Sequence, residues 1–282
     1  MPAIYAHMSF GEEVTKTLPT PYAELIQRFP EAFCLGTQGP DILFYHKPLK
    51  SNDIRKKGTI LHTWSGEKFF LAQGKKLLEN APNGDVESLL NNNEAFAAYI
   101  CGFLCHFTLD TLCHPYIDAN SNDAVSHGKI ESEFDKYVFR MNGMPFRGYN
   151  AAKRIVNKNG VKEAVAKTVE VDKKAVILSM KTMRNINAWF SNKHELSHWF
   201  AHTLLKIINK DHTFGDMFLH KEDDPLCVDI NATLIEKFKD AIPTASALIQ
   251  QYFENLRTWV TNQHCGNNLF RYDFSGIIKT ED

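Results

Sequence analysis

The sequence predicts an all-α fold, a single multi-helix domain over residues 1–282, on three observations. Apolar residues recur at steps of three and four, with Lys or Glu between them, over 151–157, 161–169, 173–190, 194–209 and 232–260. Sustained alternation and β-branched runs, the marks of strands, are scarce. The third is the apolar stretch 96–117, FAAYICGFLCHFTLDTLCHPYI, which carries His106, Asp110 and His114 four residues apart. On a helix that spacing sets all three side chains on one stripe. With 44% apolar residues in 282, a sizeable core is available. No repeat, low-complexity tract or linker divides the chain, so we expect a ligand-rich half within 1–140 and a helical shell over 150–282.

Taken in order, residues 2–11 read as a short lead ending near His7, and 12–29 as a helix broken at Pro19 and Pro21. Residues 34–46 read as a loop in which Gly39 and Pro40, one permissive and one restrictive, present Asp41. Residues 58–80 suit one helix bearing His62, and 80–85 a polar turn. The central helix is expected to start at Glu87 or Glu94 and to end at His114, because Pro115 disfavours helical backbone before it. That would leave His114 at the mouth of a site. After a polar loop at 118–126, Ser126 is placed to cap a helix in which His127 and Glu131 stand one turn apart. The tail at 267–276 is expected to be extended and packed back by its aromatic residues.

Lys plus Arg number 32 against 33 Asp plus Glu, so no broad positive field favours long nucleic acid. The first residues lack a basic segment followed by an apolar run and a cleavage site, and the expected location is cytoplasmic. The apolar window at 95–112 approaches the length of a membrane span, but His106 and Asp110 interrupt it, which favours a buried core helix. The six cysteines follow no disulfide or metal spacing and read as small buried hydrophobes. Lysines 153, 158, 162, 167, 173, 174 and 181 form a basic run that reads as a solvated face, with contact to an anionic membrane as its other use.

Ionisable groups in so apolar a helix must be paired or coordinated. The candidates are His7, Asp41, His62, His106, Asp110, His114, His127 and Glu131. Nitrogen and carboxylate donors without thiolates suit catalytic zinc, and eight are too many for one ion. Two or three neighbouring zinc ions are implied, an arrangement that serves phosphoester chemistry.

The order His7, Gly-Pro-Asp41, His62, His106-x3-Asp110-x3-His114 and His127-x3-Glu131 resembles the zinc-dependent phospholipase C family, whose fold the P1 nucleases share. The resemblance implies that Asp41, His62, His106 and Asp110 hold one zinc, and His114, His127 and Glu131 a second. Asp110 would bridge to a third ion bound also by His7. In the family the mature N-terminal residue, a Trp, completes that third site; this sequence reads Met-Pro there instead, and Pro2, five residues before His7, would supply the terminal amine if Met1 were removed. It further implies water activated by zinc attacking phosphorus in line, with Asp41 orienting or deprotonating it. The substrate would be a lipid or other small-molecule phosphodiester, with a nucleotide phosphodiester as the alternative.

Two other classes compete. His194-Glu-Leu-Ser-His198 matches the HExxH signature of zinc proteases, and His202 extends its stripe, but no third ligand follows it at the family spacing. A non-catalytic metal-binding protein is the other. Trp64, Phe44 and Tyr45 stand beside ligands and suit either a substrate pocket or core.

Overall fold

The structure, a computed structural model, describes residues 4–81, 85–191 and 219–280. Among them it is all-α, with an isolated antiparallel bridge between Tyr272 and Ile278 in place of any strand. The helices are α1 (Ile4–Thr17), α2 (Tyr22–Arg28), α3 (Pro30–Gly36), α4 (Asp53–Thr63), α5 (Gly66–Leu78), α6 (Val86–Asn120), α7 (His127–Met141), α8 (Val161–Val169), α9 (Lys173–Phe190) and α10 (Val228–Asn262). Short 3-10 turns cover Gly39–Tyr45, Ala151–Arg154, Pro225–Cys227 and Asn268–Arg271.

Helix α6 is the axis. Between Ala95 and Thr111 every residue is buried, so it behaves as a core helix apolar on all sides. It is the one described helix apolar and long enough to cross a membrane, and 94% of its most apolar window is covered by protein. Helices α3, α10, α1, α5 and α8 pack around it. The approach of α3 is closest: a Cβ on Gly36 would fall 2.2 Å from the Tyr99 carbonyl oxygen, and one on Gly102 2.2 Å from that of Phe33. Two residues without side chains thus let the backbones touch, which carries Thr37 and the following turn to His106.

Several local expectations give way to tertiary contacts. Residues 4–11 are helical rather than a lead, because the Asp135 carboxylate accepts from the Tyr5 and Ala6 amides at 3.3 and 2.7 Å and so caps α1 from another helix. Residues 34–46 form the end of α3 and a 3-10 turn instead of a loop. The stretch 58–80 is two helices, since Ser65 accepts from the Lys68 amide and starts α5 afresh. Residues 151–157 form only a 3-10 turn over Ala151–Arg154. The central helix starts at Val86 and kinks at Glu94, where φ is +40°. It then runs through Pro115 to Asn120, and Gly276 of the tail packs on that turn against Pro115 and the Thr111 carbonyl. Ser126 does cap α7, accepting from the Lys129 amide at 3.1 Å. The tail packs by Phe270 and Phe274, both fully buried, with a 3-10 turn inside it. All six cysteines are buried and free, their thiols raised where burial disfavours the thiolate.

Residues 220–223 lie against α7. There the buried Lys136 ammonium lies 2.8 Å from Glu133 and donates to the carbonyls of His220 and Glu222. His194, His198 and His202, and Pro2 at the other end, lie outside the described residues.

Candidate metal centre

Five elements bring eight side chains together. Helix α1 contributes His7, the Gly39–Tyr45 turn Asp41, the last turn of α4 His62, α6 the stripe of His106, Asp110 and His114, and the first turns of α7 His127 and Glu131. Three groups of donor atoms converge: His7, His106 and Asp110; Asp41, His62 and His106; and His114, His127 and Glu131. His106 belongs to two of them, and Asp110 faces histidines with both oxygens: its Oδ2 is 3.0 Å from His106 Nε2, and its Oδ1 is 3.2 Å from His7 and 3.7 Å from His114. His62 Nε2 is 3.0 Å from Asp41 Oδ1, while Glu131 Oε1 is 3.4 Å from His114 Nε2 and 3.3 Å from His127 Nε2.

The outer ring nitrogens explain how these side chains are aimed. His62 Nδ1 is 2.8 Å from the Gly58 carbonyl, His106 Nδ1 3.2 Å from that of Thr37, and His114 Nδ1 2.7 Å from that of Phe274. His127 Nδ1 is 2.7 Å from the Asp118 carboxylate. Each of these oxygens can only accept, so Nδ1 carries the hydrogen and donates it. The Nε2 lone pair then points inward, the arrangement that orients histidine ligands in metal sites.

In neutral rings, those inward lone pairs would face carboxylate oxygens about 3 Å away, acceptor against acceptor. A proton on Nε2 or a shared cation makes this favourable. His7 Nδ1, Asp41 Oδ1 and His106 Nε2 are buried with no aligned hydrogen-bond partner, as expected of atoms waiting on something other than each other. Donors about 2.0–2.1 Å from a tetrahedral zinc lie roughly 3.3 Å apart, which is the spacing seen across these pairs. The residues therefore fit zinc.

The electrostatics agree. Burial alone would raise the carboxyl groups of Asp41, Asp110 and Glu131, yet all three are lowered, by His62 and His106, by His106 and His114, and by His114 and His127 respectively. Conversely, burial disfavours a charged His114, but Asp110 and Glu131 push it up to about 10, and Glu131 raises His127. The cluster is built to keep its carboxylates ionised and to hold positive charge.

Gly39 fixes the inner wall. Its φ is +50°, and a Cβ there would lie 2.1 Å from His106 Cδ2, so only glycine lets the turn pass the imidazole and deliver Asp41. Phe44 stands 5.4 Å from the His62 ring, and Tyr45 is buried core. Trp64 lines a cleft of about 930 Å³ with Lys68, Arg271 and Lys279, and none of the eight donors is in its wall. Asp135 and Asp118 escape the motif reading. A signal for Asp135 existed, since it continues the four-residue stripe of His127 and Glu131, and its role is to anchor the helix bearing His7.

Neither the curated proteins nor the solved structures searched contain a match to this chain. The family model described as zinc dependent phospholipase C matches residues 6–183, a span that starts one residue before His7 and ends well past Glu131. Nearly two-thirds of the sequence and all eight converging donors fall inside that match, and the chain belongs to the zinc-dependent phospholipase C family.

Proposed function

We propose that the protein is a phosphodiester hydrolase of the phospholipase C type that works with a cluster of two or three zinc ions. The observation that carries the reading is shared ligation: His106 serves two donor groups and Asp110 faces three histidines, so the ions these groups would hold are neighbours and could engage one phosphate together. We assign Asp41, His62, His106 and Asp110 to one ion, His114, His127 and Glu131 to a second, and His7 with Asp110 to a third, which the amine of Pro2 would complete once Met1 is removed. When bound, zinc in such a cluster polarises phosphoryl oxygens and lowers the pKa of water toward about 7.

The chain's own groups do the remaining work. Asp41, held ionised by His62 and His106 against its burial, is able to orient an attacking water or accept its proton. The carbonyls of Gly58, Thr37 and Phe274 keep three imidazoles in the tautomer and orientation that leave Nε2 free, so the donor array is formed before substrate arrives. Burial of His7, His106 and Asp110 excludes competing water from the inner end. The substrate we favour is a phospholipid diester; a nucleotide phosphodiester is the alternative on the same centre.

Metal analysis with hydrolysis of a chromogenic phosphodiester tests this. The reading expects two or three zincs, with bound zinc and activity both falling when His106 or Glu131 is replaced. One zinc, lost only on replacing His194 or His198, would establish a protease-type site instead. Full occupancy with no hydrolysis of any phosphoester would leave a metal-binding protein. Product analysis on phosphatidylcholine against short single-stranded oligonucleotides then separates the two substrate classes.

A further inference from the structure

Of the four cluster histidines whose Nδ1 is engaged, three take their partner from within the family match, and His114 takes its from Phe274, near the other end of the chain. The turn that supplies this carbonyl is closed on itself. Asp273 Oδ1 accepts from the amides of Ser275 and Ile277 at 2.9 and 3.0 Å, and its Oδ2 receives the Lys279 ammonium at 2.8 Å. The Gly276 amide donates to the Asp273 carbonyl, and the Asp273 amide to that of Ile277. Gly276 has φ +70°, and a Cβ on it would come within 2.4 Å of Pro115 Cγ, so the turn seats directly on the α6 turn that carries His114.

The same turn is clipped to both ligand-bearing helices. The Phe274 amide donates to the His62 carbonyl on α4 at 3.3 Å, and the Thr111 hydroxyl on α6 donates to the Asp273 carbonyl at 3.2 Å. Between these clips the Phe274 ring is fully buried against Phe107, with ring centroids 5.1 Å apart. So many fixings on one short segment leave the carbonyl of Phe274 a single place to be, and that place is the hydrogen of His114.

We infer that the turn at 272–279 is a positioning element for the metal centre. By fixing the tautomer and tilt of His114 it sets the affinity of the His114, His127 and Glu131 group for its ion, without touching that ion. The inference rests on the zinc reading above and adds a determinant outside the matched family region.

The test measures zinc stoichiometry and affinity by chelator competition, and the visible spectrum of the cobalt-substituted protein, on the full chain and on Gly276→Ala, Asp273→Ala and Asp273→Asn. Expected is a loss of about 10–100-fold in affinity at one site only for Gly276→Ala and Asp273→Ala, the usual cost of removing an outer partner of a ligand histidine. The cobalt spectrum should change with it, and the far-UV circular dichroism should stay that of the wild type. Asp273→Asn, whose amide oxygen still accepts from Ser275 and Ile277, should recover most of the affinity, which a loss through general destabilisation would not predict. Wild-type affinity at every site in both Gly276→Ala and Asp273→Ala, or loss of all ions together in the variants that fold, would overturn the inference. A wild type that binds no zinc would overturn it along with the function; one that binds zinc but hydrolyses no phosphodiester would overturn the function alone.

Discussion

The two ends of the donor cluster are built differently. At the inner end His106 has no exposed surface, and its aim is set by backbone: the Thr37 carbonyl on one side and the Gly39 turn against its ring. At the outer end the His127 side chain is 39% exposed and is aimed by Asp118, itself 54% exposed, while His114 depends on the distant tail. Backbone partners inside a packed core cannot titrate or turn away; a surface carboxylate can do both. The inner site should therefore hold its ion tightly and the outer one exchange it.

The most direct way to break this contrast is at the shared donors. His106→Ala or Asp110→Asn should remove ions from more than one group and lower hydrolysis by at least about a thousandfold, since Lewis-acid stabilisation supplies several kcal/mol. Metal analysis that still finds the full complement would refute the shared ligation. Glu131→Gln should empty the outer group alone, with a smaller fall in rate, on the order of a hundredfold; retention of the inner zinc by the variant is the measurement that matters.

Gly39→Ala sharpens the inner half of the comparison. It forces a Cβ onto His106 at a positive φ and should cost about 1–3 kcal/mol of stability. At about 2–4 °C per kcal/mol for a chain of this size, the melting temperature should fall by several degrees, with inner-site affinity falling and the outer site unchanged.

Protons give a test of the outer half. In the metal-free protein Asp110 and Glu131 raise His114 from 6.5 to about 10, so the stabilisation it gains is complete below pH 6.5 and is lost as pH rises through about 10. The carboxyls of Asp110 and Glu131 are lowered, so their contribution is present above the ordinary carboxylate range and is lost as pH falls through the depressed values. Zinc at the outer group must displace the His114 proton. Its binding should release about one proton at pH 7 and tighten as pH rises, which calorimetry in buffers of different ionisation enthalpy would register. The smallest effect is expected for Asp118→Ala: about tenfold weaker binding at the outer site, read by chelator competition, with the inner site unmoved.

The legible part of this centre is the part that obeys helical arithmetic. His106, Asp110 and His114, and again His127 and Glu131, announce themselves because residues four apart share a face whatever surrounds them. Asp41 could be picked out beside Gly39 and Pro40, although the segment is a 3-10 turn and not the loop expected. His7 reads as the end of a short lead, whereas it stands on a helix whose first amides are capped by Asp135, far along the chain. Pro115 suggested a helix end for sound local reasons, yet the helix continues through it, with a glycine more than 150 residues away packed on that turn.

Taken alone, the sequence determined the helical class and a set of candidate donors whose chemistry suits zinc, because each depends on side-chain chemistry and on a period of four residues. Only the tertiary structure decided which donors converge and which ring nitrogen faces inward. The orienting groups are mostly main-chain carbonyls of Gly58, Thr37 and Phe274. Every residue carries such a carbonyl, so nothing in the order of side chains marks these three until packing brings them to the imidazoles.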